Sequence, residues 1–286
     1  MQVPPGLVPG GRFDEWSPSS VAYCVADVDG TLVGNDNTPN ADVCAAVREA
    51  QAAGVLVGVA TGRMRLSAEP VARAIGSTGP HVLHNGAEVR RNGQRLDAWP
   101  LTTEQLETVL AIGNELGAYA EIYVDDGYLV TRDDERALPH WQLLGREPLG
   151  VLAAATDLSD VPLKATFAVF DDLELADAVS AAVAAHGLGA GSAHSPVTPG
   201  ISYINVTHPA ANKGAALAVA AEHAGTDLSG TAAIGDAHND ISMLLRAGTA
   251  IAMGQAHPDV RAAAHLVAPA VADDGAAVSL RALAHL

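Results

Sequence analysis

Read as a string of apolar and polar positions, the chain alternates short apolar runs with longer amphipathic stretches. Val21 to Ala26 (VAYCVA) is wholly apolar, the pattern of a strand buried on both faces of a parallel sheet. After a loop containing Gly, Asn and Pro, a helical pattern runs from Ala41 to Ala53, and Gly54 stops it. Val55 to Ala60 (VLVGVA) predicts a second buried strand, Ser67 to Ile75 a further helix, and His81 to Leu83 a short strand. This alternation predicts an α/β fold with a doubly wound parallel sheet.

Around residue 88 the texture changes. EVRRNGQRLDAW reads as a hairpin on the Asn92-Gly93 turn, which suits type I′ geometry. Thr102 with Gln105 forms a capping box for a helix running to about Gly117. YAEIYVDDGYLVTR predicts a second hairpin turning at Asp126-Gly127, with Asp125 and Asp126 as a solvated tip. A strand at Lys164 to Phe170, a helix at Leu173 to His186 and a strand at Ser202 to Val206 follow. From Lys213 the first texture returns, through the strands TAAIG and TAIAM to a last helix. The expected organisation is a discontinuous core over 20–87 and 208–286, interrupted by an α+β cap over 88–207. Residues 1–19, rich in Pro, Gly and Ser, read as a flexible tail.

Composition narrows the function. Hydrophobic residues make up 49% of the chain but aromatic ones only 4%, so its core is built from small side chains packed closely. Acidic residues outnumber basic ones 33 to 16, for a net charge of −17, which argues against nucleic acid or an anionic membrane as partner. Apolar runs such as Ala215 to Ala221 fall far short of the ~20 residues that span a bilayer. The start has no basic segment followed by an apolar one, so secretion is not expected. Cys24 and Cys44 read as small buried hydrophobes in a reducing compartment, and a cytoplasmic protein is expected. The eleven histidines show no HExxH pattern and have no cysteine companions, so no zinc site is predicted. Gly187, Gly189 and Gly191 follow a helix rather than a strand and are not read as a dinucleotide fingerprint.

Candidate chemistry gathers where the apolar strands end. Asp27-Val28-Asp29-Gly30-Thr31 follows the first strand, Thr61-Gly62-Arg63 the second, and Gly235-Asp236-Ala237-His238-Asn239-Asp240 the strand TAAI. Lys213-Gly214 opens a helix. Each alone has an ordinary reading as a turn, a cap or a solvated charge. Together they place several carboxylates beyond the carboxyl ends of parallel strands, where open α/β sheets bind ligands. Such carboxylates repel one another unless a hard divalent cation neutralises them, and oxygen-only ligands favour Mg²⁺ over zinc.

DVDGTL, the Thr in VATGR, the Lys in ANKGAAL and GDAHNDISML together resemble the four motifs of the haloacid dehalogenase superfamily, in detail its Cof-like phosphatases. The resemblance runs from Val21 to the C-terminus and includes His84 to Ala87 (HNGA). It implies a Rossmann-like core with a class-II cap, and Mg²⁺-dependent hydrolysis of phosphate monoesters of small metabolites through an aspartyl-phosphate. By the resemblance Asp27 is the nucleophile and Asp29 the general acid and base. Thr61 and Lys213 hold the phosphoryl group. Asp27, Asp236 and the backbone carbonyl of Asp29 bind the metal, and Asp240 supports them. Gly62, Arg63, Asn85 and Asn239 face phosphate or substrate. The interval from Asp29 to Thr61 has room for one helix and one strand; the one from Thr61 to Lys213 holds a whole module, which is where a class-II cap is inserted. Gln255 stands where Cof-like relatives often carry Asn, and Asn205 where Glu is common. A phosphomutase on the same scaffold, or a phospho-ligand-binding protein without turnover, remain the alternatives. The resemblance leaves a monomer or a homodimer open.

Overall fold

The computed structural model of the chain describes residues 3–17, 19–194 and 198–286. It divides into two compact units: Met1–Arg63, Ala68–Asp97 and Asn212–Leu286 form one, and Met64–Ser67 with Ala98–Ala211 the other. The breaks near 97 and 211 differ from the expected 87 and 207, because the hairpin after residue 88 clusters with the first unit.

In chain order the first elements are β1 (Val8–Pro9), β2 (Tyr23–Ala26), α1 (Ala41–Ala52), β3 (Leu56–Val59), α2 (Arg65–Ala74), β4 (His81–Leu83), β5 (Glu88–Arg91) and β6 (Gln94–Ala98). The middle of the chain supplies α3 (Thr103–Leu116), β7 (Tyr119–Val124), β8 (Gly127–Val130), α4 (Leu138–Leu144), β9 (Lys164–Phe170), α5 (Leu173–Ala185), β10 (Gly189–His194) and β11 (Ile201–Thr207). It closes with α6 (Lys213–His223), β12 (Thr231–Gly235), α7 (Ile241–Leu244), β13 (Thr249–Ala252), α8 (Pro258–Ala262), β14 (Leu266–Val267) and α9 (Gly275–Leu283).

The first unit is built on a sheet of order β1-β14-β13-β12-β2-β3. Its interior strands are parallel, with Ala26 of β2 level with Val59 of β3 and Ile234 of β12. Every residue of β2 is buried, as a strand covered on both faces requires. Ala46, Val47 and Ala50 of α1 pack in the same core as Val57, Ile234 and Leu280. Asn40 caps α1, its side chain accepting the Val43 amide at 2.9 Å. A smaller sheet, β4-β5-β6, turns between its last two strands on Asn92 (φ 52°) and Gly93 (φ 77°), both left-handed as type I′ demands.

The flexible tail expected over 1–19 is not what the described part of this segment shows. β1 pairs antiparallel with β14 and closes one edge of the main sheet. Trp16 is 3% exposed, and its Nε1 donates to Thr249 Oγ1 at 3.1 Å. Proline and glycine removed the periodicity that marks structure, but a buried indole and backbone pairing hold the segment. Cys24 is buried as expected and Cys44 half-buried, and both are free thiols.

The second unit carries an antiparallel sheet of order β10-β11-β9-β7-β8. The capping box opens α3 as predicted, and Gly117 ends it at φ 66°. Val109 and Ile112 of α3 and Val179 and Val183 of α5 pack with Phe167 and Ile204. Side chains alternate along a strand, so Tyr119, Glu121 and Tyr123 share the opposite face, where both phenols donate to the buried Glu121 carboxylate. Val124 pairs with Gly127, so this hairpin turns at Asp125-Asp126, one residue earlier than the Asp-Gly pair suggested. That tip is also ion-paired rather than merely solvated: Arg65 reaches Asp125 at 3.3 Å and Asp126 at 2.9 Å. Among the described residues no helix is long and apolar enough to cross a membrane.

Candidate active site

β2 has β3 on one side and β12 on the other, so the chain winds away from it in both directions and leaves a crevice beyond its carboxyl end. Asp27 and Asp236 directly follow β2 and β12, and Thr61 follows β3 after Ala60, so the strand register sets all three within about one residue of the same level. All ten residues singled out from the sequence lie in the first unit.

Asp27 is buried, its amide tied to Ile234 O at 2.8 Å. Its Oδ1 accepts from Lys213 Nζ at 2.7 Å, and the same ammonium donates to Asp240 Oδ1 at 2.6 Å. Lys213 is 1% exposed at the first position of α6, where the Asn212 side chain caps the helix on the Ala215 amide. Asp240 Oδ2 accepts the amides of Asp236 and Ala237, both at 3.0 Å. Both its oxygens are therefore engaged, and it acts as an anchor that aims the lysine and shapes the loop. Asp27 Oδ2 has no hydrogen-bond partner among the described residues.

Asp236 accepts from Thr31 Oγ1 and Gln255 Nε2, each at 3.3 Å, and Gln255 also donates to Gly30 O at 2.6 Å. Gly30 sits at φ +81°, and a Cβ there would run into the Asp236 carboxylate. A Cβ on Gly86, at φ +98°, would likewise run into the backbone of Asn212 and Lys213. At these two positions glycine lets the loops close on the site.

Thr61 is fully buried; its Oγ1 accepts the Arg63 amide at 3.1 Å, which leaves the hydroxyl hydrogen available to an incoming oxygen. Asp29 is 64% exposed at its side chain and held by a bidentate clamp from Arg63, at 2.9 Å and 2.5 Å. Arg63 also binds Asn37 Oδ1. Asn239 Nδ2 donates to Asn85 Oδ1 at 3.0 Å, and a Cβ on Gly62 would come within 2.7 Å of that oxygen, so these three form one rim.

One ammonium here serves three carboxylates. Burial pushes the Asp27 carboxyl well above its usual range, and Asp240 and Asp236 add to this against the Lys213 charge. Asp236 is raised to about 6, first by burial and then by Asp240. Lys213 is desolvated, yet its two carboxylates outweigh that and hold it charged. A set of oxygen-only acceptors carrying excess negative charge fits a divalent cation, which would restore both carboxyls to the ionised form. Asp27, Asp236 and Asp240 offer oxygens within 4.8 Å of one another, but Asp240 is already spent on lysine and amides. That leaves Asp27 and Asp236 as the side chains able to hold Mg²⁺.

Sequence reasoning did not assign Thr31, Asn37 or Gln255. Thr31 lies inside the quoted motif and Gln255 in the Met-Gly-Gln-Ala run, so both had a signal. Asn37 had none: it sits in a polar loop at φ 58°.

A doubly wound sheet with a lysine bridging two carboxylates at its switch point, interrupted by an α+β module, defines a hydrolase of the haloacid dehalogenase type. The model of the haloacid dehalogenase-like hydrolase family matches residues 24–280, and the chain belongs to that family. It is 27% identical over 260 residues to a phosphoglycolate phosphatase of Methanopyrus kandleri, covering 91% of this chain and 95% of that protein. It is 28% identical to an HMP-PP phosphatase of Serratia proteamaculans, over 82% of this chain and 84% of the relative. A solved subclass IIB sugar phosphatase of the superfamily shares the fold with a TM-score of 0.77 at 22% identity, over 91% of this chain and 98% of that one. A haloacid dehalogenase-like hydrolase from Bacteroides thetaiotaomicron superposes with a TM-score of 0.78 at 20% identity, over 91% and 98%.

Proposed function

We propose that this chain, a haloacid dehalogenase-type phosphatase, hydrolyses phosphate monoesters of small metabolites through an aspartyl-phosphate on Asp27, with Mg²⁺ as cofactor. One observation carries the reading: Lys213 Nζ holds Asp27 Oδ1 at 2.7 Å and leaves Oδ2 without a partner among the described residues, in a carboxylate that clusters with Asp236. That is the arrangement of an oriented carboxylate nucleophile.

In the first half-reaction an Asp27 oxygen bonds to phosphorus, the ester P–O bond breaks, and the leaving alkoxide takes a proton from Asp29. In the second, Asp29 takes a proton from water; the water oxygen bonds to phosphorus, the bond to Asp27 breaks, and phosphate leaves. The Lys213 ammonium and the Thr61 hydroxyl offset charge growing on the phosphoryl oxygens. Arg63 fixes the Asp29 carboxyl, while Gly62, Asn85 and Asn239 form the rim a substrate meets. Asp27, Asp236 and the backbone carbonyl of Asp29 would hold Mg²⁺, which supplies positive charge to the carboxylates and the phosphoryl group. The substrate class rests on relatives named for phosphoglycolate, HMP-PP and sugar phosphates. The free thiols Cys24 and Cys44 support a reducing, cytoplasmic location.

Phosphate release measured over a panel of small phosphate esters tests this. Mg²⁺ supports release from at least one ester, chelator abolishes it, and renewed Mg²⁺ restores it. No release from any ester with Mg²⁺ present would overturn the reading, and full activity in excess chelator would remove the metal from it.

A further inference from the structure

The sequence predicts no zinc site, yet the fold gathers two histidines and an aspartate on the surface of the first unit. We propose that His238, His257 and Asp259 bind a transition-metal ion of the Zn²⁺ class, at a site separate from the carboxylates of Asp27 and Asp236 and independent of the hydrolytic reading. His238 follows β12 and His257 follows β13, parallel neighbours in the sheet, and Asp259 lies in the first turn of α8.

The geometry suits one ion. His257 Nδ1 stands 3.2 Å from Asp259 Oδ2, and His238 Nε2 stands 3.8 Å from the same oxygen. The three ligand atoms lie within 4.8 Å of one another. Ligands at about 2.0–2.2 Å from a tetrahedral Zn²⁺ are about 3.3–3.6 Å apart, a separation that lies between the two gaps of 3.2 Å and 3.8 Å. The remaining closure is about an ångström, within reach of small χ rotations at exposed side chains.

The donor set also selects the ion. His257 Nδ1 lies 3.4 Å from the Asp259 amide, a long contact that its single lone pair can exchange for a metal ion. With Nδ1 unprotonated, its 3.2 Å approach to Asp259 Oδ2 sets two acceptors together, which a cation satisfies. Two imidazoles with one carboxylate favour Zn²⁺, Co²⁺ or Ni²⁺, whereas the oxygen-only cluster favours Mg²⁺. An ion here would tie the loop of Asp236 and Asp240 to the loop of Gln255, which itself donates to Asp236 and Gly30. Binding to the folded form alone raises its stability.

The untagged full chain, stripped with chelator and kept in excess Mg²⁺, is titrated with Zn²⁺ by calorimetry while Tm is followed in parallel. One equivalent binds and Tm rises. His238→Ala and His257→Ala each weaken Zn²⁺ binding at least tenfold, whereas Asp236→Asn retains it. Circular dichroism checks each fold, and His257→Gln serves as a milder second variant. Equal binding by wild type and both histidine variants, or no binding in Mg²⁺, overturns the site. Loss in Asp236→Asn alone assigns the Zn²⁺ to the carboxylate cluster and overturns it as well.

Discussion

At the scale of single residues, the two aspartates of DVDGT are separated by their surroundings. Asp27 is buried against Lys213, whereas Asp29 is largely exposed and gripped by Arg63. Asp27→Asn keeps the shape but cannot form an acyl-phosphate; turnover should fall at least ~10³-fold with the melting curve nearly unchanged. A variant, checked for deamidation, that keeps a tenth of the activity would rule out the covalent step. Asp29→Asn removes the acid, and general acid help is worth ~10²–10⁴-fold. An alkyl alkoxide needs that proton, while p-nitrophenolate leaves without it. The variant should therefore lose much more kcat/KM on an alkyl phosphate than on p-nitrophenyl phosphate, and lose kcat on both. Equal losses of kcat/KM on the two substrates would make Asp29 a structural residue.

At the scale of elements, periodicity located the interior strands and longer helices well. β2, β3, β9, α1, α3 and α5 lie within one or two residues of their expected spans, because each buries a regular face or carries a cap. The first 19 residues had no such pattern. Their structure comes from pairing with β14 and from an indole reaching Thr249, both far along the chain. Trp16→Ala should cost ~3–5 kcal/mol in urea unfolding, the range for truncating a buried aromatic side chain. A change within ~0.5 kcal/mol, as at ordinary surface positions, would return this segment to a tail. The second hairpin misled in the other direction: Asp-Gly is a strong turn signal, but Val124 pairs with Gly127 and the turn shifts to Asp125-Asp126. There Arg65, from a distant stretch of sequence, meets the two carboxylates.

At the scale of the whole molecule, the carboxylate cluster couples metal, pH and stability. Asp236 titrates near 6 in the fold, against about 3.9 for a free aspartate. Between these values the folded form binds more protons than the unfolded one. Stability without metal therefore falls as pH rises from about 4 to about 6, and the cost is fully present above that. A cation that binds the ionised carboxylate relieves this cost. Mg²⁺ should accordingly raise Tm more at pH 7.5 than at pH 5, and Asp236→Asn should lose most of that difference. A Mg²⁺ shift of equal size at both pH values would place the ion elsewhere.

The sequence alone determined the α/β character, the apolar strands and the chemistry-bearing clusters that follow them, because hydrophobic period and strand-end position are local properties of the chain. It also carried enough motif pattern to name the superfamily. Tertiary structure alone decided which acceptors are spent and which are left over. Asp240 and Asp27 look alike in the sequence, yet amides and lysine occupy both oxygens of one and leave an oxygen of the other without a partner among the described residues. The Arg63 clamp, the Gln255 bridge, the Trp16 anchor and the meeting of His238 with His257 and Asp259 likewise join residues apart in sequence. Such pairs form because a packed sheet sets strand ends and loops at distances of a few ångströms, and hydrogen bonds and ion pairs act only at that range.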